Sequence, residues 1–301
     1  MSKYTRLFDV CGLNKKDHEM KNFSPSRRKM LGSSVALGLS TLIAPTIAPA
    51  ASGPQKQVPG IQLYTVRESM AADVPGTLRA IAGIGYKEVE FAGYGDHSPQ
   101  QVRGLLDDLA LRSPSSHVNA VIIREDPLPL IEMATAIGND YLTVAWLSPE
   151  DRQTLDNYKR WAETFNRVGE VCRENGIRLA YHNHDFELLP IDGQLPFDIL
   201  LSETDPALVD FELDMFWVRK AGQDIVNILN RAPGRFTMAH IKDMDEEGNM
   251  VEVGTGVIDF ESILGNEAAI GLRHLFVEHD EPSDPFKSAA ISYPGLASIL
   301  E

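Results

Sequence analysis

Four side chains able to hold a metal ion stand at the ends of four strand-like runs in the second half of this 301-residue chain. IRLAYH ends on His182, LVDFELD on Asp214, FTMAH on His240 and RHLFVE on Glu278. Two imidazoles and two carboxylates drawn to one point would bind one divalent cation. That donor mix suits Mn²⁺ first, with Fe²⁺, Co²⁺ and Zn²⁺ as alternatives, and it is the wrong set for all-oxygen Ca²⁺. A cation so placed polarises the oxygen atoms of a bound molecule, which is enzyme chemistry.

The neighbours of these four residues add to the candidate set. Side chains alternate along a strand, so in Tyr181-His182-Asn183-His184-Asp185-Phe186-Glu187 a continuing strand would put His184 on the face of His182, where it could touch substrate. Glu187 lies beyond, either as a catalytic carboxylate or as a solvated charge. Asp210, Glu212 and Asp214 also share one face, and a carboxylate turned into a barrel needs a cation or several donors. Asp214 is nearest the rim and is the expected ligand; Glu212, one layer lower, is expected to orient it, and Asp210 at the start of the run to face solvent. Lys242 follows His240 by two residues. While protonated it cannot ligate, but it can hold a substrate oxygen or a developing oxyanion; the plainer alternative is a rim salt bridge with Asp243. Glu278 is a candidate base as well as a ligand.

These groups need a scaffold that gathers strand ends. From residue 60 onward, short apolar runs alternate with longer amphipathic segments eight times. The expected strands are 60–64, 88–91, 116–120, 141–145, 178–182, 209–214, 236–241 and 274–278. Expected helices include 73–84, 99–111, 128–138 and 151–175, the last with apolar residues at 155, 158, 161, 165 and 168 that form one stripe. Gly83-Ile84-Gly85 and Asn175-Gly176 supply helix stops. Eight strand–helix units in about 250 residues predict a single (β/α)8 TIM barrel of the α/β class, whose strands all end at one rim. A doubly wound sheet is the alternative, but no glycine-rich phosphate loop follows any strand.

Residues 1–50 read as a segment apart, leaving 51–301 for the barrel. Ser26-Arg27-Arg28-Lys29-Met30-Leu31 is a twin-arginine signature, and the uncharged run behind it closes on Ala48-Pro49-Ala50. This is the pattern of a removed signal peptide and predicts a periplasmic protein exported by the twin-arginine route. Gly32, Gly38, Pro45 and Pro49 interrupt the run, which falls short of the roughly 20 apolar residues a membrane span needs. Stable membrane insertion after cleavage is therefore not expected. The full chain has a net charge of −15, and without residues 1–50 it keeps 20 basic against 40 acidic residues, a charge of −20. Such a body repels phosphates, so nucleic acid is excluded as a partner and a metal-dependent endonuclease as a function. Cys172 is the one cysteine after residue 50, so stability cannot rest on an internal disulfide.

The chain resembles the sugar phosphate isomerase/epimerase group of the xylose isomerase-like TIM barrels. The resemblance is carried by Gly60-Ile61-Gln62-Leu63-Tyr64-Thr65, the Tyr181–Glu187 stretch and Leu213-Asp214-Met215-Phe216-Trp217. His240-Ile241-Lys242-Asp243, Val253-Gly254-Thr255-Gly256-Val257-Ile258-Asp259-Phe260 and Val277-Glu278 complete it. It implies a metal held at the ends of strands five to eight, mapped onto His182, Asp214, His240 and Glu278, and a carbohydrate substrate, free or keto-modified in exported members. One departure stands out: ketose epimerases of this kind carry a glutamate at the strand-five position, where this chain has His182. A ligating imidazole is a poor proton shuttle, so Glu187 or His184 would have to supply the missing base.

The expected chemistry is proton abstraction next to a carbonyl through an enediolate, the metal taking the carbonyl oxygen and its neighbouring hydroxyl. Glu278 or Glu187 would take the proton and Lys242 hold the oxyanion. Gln62, Glu90, His117 and His184 are the candidates to bond sugar hydroxyls, and Trp217 with Trp146 to wall the ring. An isomerase or epimerase is the first reading. A 3-keto-glycoside lyase or dehydratase using the same site, and a non-catalytic sugar-binding protein, are the alternatives. A homodimer is the assembly considered, because subunits of such barrels often cover each other's rims.

Overall fold

The apolar runs become eight parallel strands in the computed structural model, which describes residues 57–301; the twin-arginine segment lies outside the described residues. Strand β1 spans Pro59–Gln62, β2 Glu88–Glu90, β3 Ser115–Val118, β4 Tyr141–Val144, β5 Arg178–His182, β6 Val209–Asp214, β7 Phe236–Ile241 and β8 His274–Val277. They pair side by side in the order β2-β1-β8-β7-β6-β5-β4-β3. The two outer strands then meet through parallel bridges Glu88–Arg112 and Phe91–Ser116, and the His117 amide donates to the Phe91 carbonyl at 2.7 Å. With helices flanking the sheet this is a single (β/α)8 barrel. An antiparallel hairpin, Asp243–Met244 with Met250–Val251, is inserted after β7.

Local chemistry sets the helix bounds. The helix Val74–Ile84 begins where the Asp73 side chain accepts the Gly76 amide at 2.9 Å. The longest helix runs Leu155–Glu174, starting with its apolar stripe and four residues after the expected 151, because Thr154 and Asn157 cap it reciprocally: the Thr154 hydroxyl accepts the Asn157 amide at 3.2 Å and the Asn157 side chain accepts the Thr154 amide at 3.0 Å. Tyr158, Trp161, Phe165, Val168 and Cys172 on its inner stripe are all buried, each burial worth about 1.5–3 kcal/mol for a large side chain. Phe165 meets Tyr181 of β5 with ring centroids 5.2 Å apart, so this helix also supports the strand that carries His182.

Inside the barrel, side chains stack in layers. Tyr141, Ala180, Met238 and Phe276 form an apolar plug. Gly60 makes room for it: a Cβ there would lie 2.7 Å from Phe276 Cδ1. Below the plug, at the amino ends of the strands, Asp210 is buried and bonded by Arg178 through Nε at 2.8 Å and Nη2 at 2.7 Å, and Glu88 meets His274 at 2.7 Å. Asp210 therefore does not face solvent, because the inward pleat of β6 buries its first carboxylate along with the other two. Above the plug the interior turns polar up to the rim.

Candidate functional site

At the carboxyl ends of β5, β6, β7 and β8, one donor atom each from His182, Asp214, His240 and Glu278 falls within 4.8 Å of all the others, and all four residues are buried. Two contacts measure the packing: His182 Nε2 lies 3.2 Å from Asp214 Oδ2, and His240 Nδ1 lies 2.8 Å from Glu278 Oε2. Donors each about 2.0–2.2 Å from a shared cation would stand roughly 3–3.5 Å apart, so the spacing suits a divalent metal.

The hydrogen bonds decide the matter more sharply. His182 Nδ1 lies 3.0 Å from the Ala145 carbonyl, an oxygen that can only accept, so Nδ1 carries a proton and Nε2, hydrogen-bonded to Asp214 Oδ2 at 3.2 Å, is the nitrogen left to ligate. His240 repeats the pattern with its nitrogens exchanged. Its Nε2 donates to Glu90 Oε2 at 2.8 Å, whereas buried Nδ1 has no aligned hydrogen bond despite Glu278 at 2.8 Å. Burial pulls the His240 pKa down, but Glu212 and Glu278 hold it well above its ordinary value, so without a metal a second proton bridges this contact. A divalent cation can take its place, accepting the Nε2 lone pair of His182 and the Nδ1 lone pair of His240. The residues fit a divalent metal.

Lys242 is the resident cation. Its Nζ lies 3.0 Å from Asp214 Oδ2 and 2.8 Å from Glu278 Oε2, and it donates to Asp280 Oδ1 at 2.8 Å. Burial alone would favour a neutral amine, but these carboxylates hold the ammonium well above its ordinary pKa. Against the upward push of burial, Lys242 and His182 hold the Asp214 carboxyl below its ordinary range, and Lys242 with His240 does the same for Glu278. In this geometry Lys242 binds carboxylates rather than a substrate oxygen. Nor does it pair with Asp243, which instead accepts the amides of Met244, Gly254, Gly256 and Ile258 at 2.8, 3.0, 2.9 and 3.2 Å. The glycine-rich motif is thus a loop wound round Asp243; a Cβ on Gly256 would lie 2.3 Å from its Oδ1.

A cavity of about 360 Å³ opens over the quartet, with His182 and Glu278 in its wall. Such a volume sits at the small end of small-molecule sites. Trp146, Trp217, Tyr64 and His117 also line it, as do His184, Lys242 and Asp280. The strand does not continue through His184: Asn183 turns its side chain to accept the Asp214 amide at 2.9 Å, and β5 stops at His182. His184 reaches the cavity from the loop instead, stacked on Phe186 with ring centroids 5.1 Å apart and with buried Nδ1 unpartnered. Burial, with His182 and Lys242 nearby, holds it neutral. Burial also takes His117 down to about 3.

Three expected site residues stand elsewhere. Glu187 is fully buried behind the loop, where Tyr181 donates to one oxygen and the His184 amide to the other at 2.8 Å; burial lifts its carboxyl to about 7. Gln62 and Glu90 lie one layer below the cavity, joined to each other at 2.7 Å, because the pleat puts them beneath the rim rather than on it. Glu212 likewise meets His117 at 2.7 Å, not Asp214. Asp280 was missed, although its position two residues past Glu278 was signal enough. The role of the Ala145 carbonyl leaves no trace in side-chain types.

Residues 78–290 match the family described as xylose isomerase-like TIM barrel. In sequence the chain is similar to an inosose dehydratase from Geobacillus thermodenitrificans (strain NG80-2), 26% identical over 164 residues, covering 46% of this chain and 54% of that protein. It thus spans about half the length of the curated relatives it matches. Among solved structures it is similar to a sugar phosphate isomerase/epimerase from Parabacteroides distasonis ATCC 8503, 26% identical with a TM-score of 0.70, covering 85% of this chain and 98% of that one. It is also similar to an IolI protein with a bound zinc atom, at 15% identity and a TM-score of 0.66 over 81% of this chain and 98% of that one, a likeness of fold alone.

Proposed function

The chain belongs to the xylose isomerase-like TIM barrel family, and we propose that it is a metal-dependent enzyme that removes a proton from carbon next to the carbonyl of a free or keto-modified sugar, through an enediolate. The observation that carries this reading is the pair of imidazole nitrogens, His182 Nε2 and His240 Nδ1, set toward Asp214 and Glu278 at the floor of a small cavity. A divalent cation bound there would polarise the carbonyl oxygen and a neighbouring hydroxyl and stabilise the charge that develops. Mn²⁺ is the first choice from the donor mix, and the zinc of the IolI neighbour keeps Zn²⁺ beside it.

Asp280 is our proton acceptor. It lines the cavity outside the metal quartet, and burial beside Glu278 raises its carboxyl above the ordinary range, nearer a working pH. His184 offers an unpartnered nitrogen for a sugar hydroxyl, and Trp217 a flat wall. The outcome we favour is a lyase: the C–H bond breaks, its proton goes to Asp280, a carbon–carbon double bond forms, and the β-hydroxyl leaves as water with that proton. Inversion would want a second carboxylate on the opposite side. Glu187 is withdrawn from that role by Tyr181 and the His184 amide, and the likeness to inosose dehydratases points the same way. An isomerase or epimerase is the second reading, supported by the Parabacteroides relative.

Incubating the metal-loaded protein with ketoses, inososes and 3-keto-glycosides in D₂O tests this. Water loss supports the lyase, and a deuterated isomer or epimer supports the second reading. Glu278→Gln should abolish either. Sugar binding without deuterium uptake or product from any compound leaves a binding protein and ends the catalytic proposal.

From the Ser26–Leu31 motif we further propose twin-arginine export to the periplasm. Changing Arg27 and Arg28 to Lys should hold the protein in the cytoplasm. The expected homodimer is checked by sedimentation equilibrium.

A further inference from the structure

We propose that Glu90, held by Gln62, is the positioning residue that fixes His240 as a metal ligand through Nδ1. The inference rests on the metal site above and concerns residues first expected to touch substrate. Glu90 and Gln62 are wholly buried. Glu90 Oε2 accepts from His240 Nε2 at 2.8 Å and from Gln62 Nε2 at 2.7 Å. Gln62 Oε1 in turn accepts the Tyr64 amide at 3.0 Å. The donor and acceptor ends of the Gln62 amide are thereby both set, and they aim Glu90 at the imidazole.

An imidazole cannot present a lone pair on both nitrogens while one carries hydrogen. The carboxylate below captures Nε2–H, so when the ring ligates its lone pair lies on Nδ1, the atom with no aligned partner and with Glu278 2.8 Å away. A negatively charged partner also makes that lone pair more basic, and an outer carboxylate of this kind is worth about 10–100-fold in metal affinity. His240 Nε2 is 3.3 Å from Glu212, and His117 Nε2 reaches the same two carboxylates at 2.7 and 3.3 Å. Glu90, His117, Glu212 and His240 could therefore be read as a second cation site. The aligned Nε2–H bonds of both imidazoles to carboxylate oxygens argue for one metal with a supporting layer.

The test is calorimetric titration of the metal-free protein with Mn²⁺ and Zn²⁺, and nitrogen-15 NMR of the Zn²⁺-loaded form. The wild type should take up one equivalent and show a protonated His240 Nε2. Glu90→Gln should bind about 10–100-fold more weakly and lose the single tautomer. Gln62→Met, which frees Glu90 without removing it, should weaken binding less and serves if Glu90→Gln does not fold. Glu88→Gln is the matched control: it cuts a buried carboxylate–imidazole pair, Glu88–His274 at 2.7 Å, that faces away from the rim, and its metal affinity should hold. Unchanged affinity in both Glu90→Gln and Gln62→Met, an equal loss in Glu88→Gln, or two equivalents in the wild type overturns the proposal. No uptake by the wild type would instead overturn the metal site it rests on.

Discussion

The two ends of the barrel interior both bury carboxylates, and they treat them differently. At the floor, Asp210 is gripped by both Nε and Nη2 of Arg178, and Glu88 is met by His274 at 2.7 Å and by Arg112 at 3.4 Å. Each floor carboxylate has its own counter-charge or donor, and nothing is left over. At the rim, Asp214, Glu278 and Asp280 share one lysine, two imidazoles turn their ligating nitrogens toward Asp214 and Glu278, and just below both Glu90 and Glu212 keep one oxygen unpartnered. Burying charge without balance is costly. The floor closes its ion pairs and is structural, whereas the rim is short of positive charge in the geometry that one divalent cation would satisfy.

Asp214→Asn should break the contrast most severely. Removing a central ligand charge is expected to weaken Mn²⁺ binding at least about 100-fold and to take turnover to background, read by calorimetry and by the deuterium assay. Tight binding by this variant would remove the distinction between the two ends.

Glu187 sharpens the rule, being a buried carboxylate with no cation in contact. Its folded pKa of about 7 exceeds its unfolded value, so the folded protein holds an extra proton between about pH 4.5 and 7. Its contribution to stability is present below that window and is lost as pH rises through 7, up to about 3 kcal/mol. Glu187→Gln should flatten this part of the stability–pH curve in urea melts; an unaltered slope would assign the proton elsewhere.

Metal itself should discriminate next. Mn²⁺ at 100 times its dissociation constant stabilises the fold by about 2.7 kcal/mol, a rise of roughly 5–10 °C in Tm for a domain of this size. That rise should vanish in Asp214→Asn and persist in Asp210→Asn. The smallest effect is the floor variant's own: Asp210→Asn should cost about 1–2 kcal/mol, because Arg178 is partly exposed and can recover water. Its metal affinity should not change, and a loss of affinity would mean that the two ends are coupled.

Much of this is legible in the sequence itself. Strand ends, helix periodicity and the inward alternation of Asp210, Glu212 and Asp214 are one-dimensional signals, since a period of two or 3.6 fixes which side chains share a face. They suffice for the barrel and for a His/Asp/His/Glu set at one rim. The same alternation misplaced Gln62 and Glu90, because it fixes the face but not the depth at which a residue sits. His184 left the strand at Asn183, whose bond to the Asp214 amide comes from a strand 31 residues away in sequence.

What the chain alone determined was therefore the architecture and the donor types, which follow from local preference and pattern. What folding in three dimensions decided was how each donor is wired: Ala145 and Glu90 choosing which imidazole nitrogen can ligate, Lys242 set among three carboxylates, Tyr181 withdrawing Glu187. Those choices depend on distances of about 3 Å between residues far apart in sequence, and hydrogen bonding is too short-ranged for spacing along a chain to encode it.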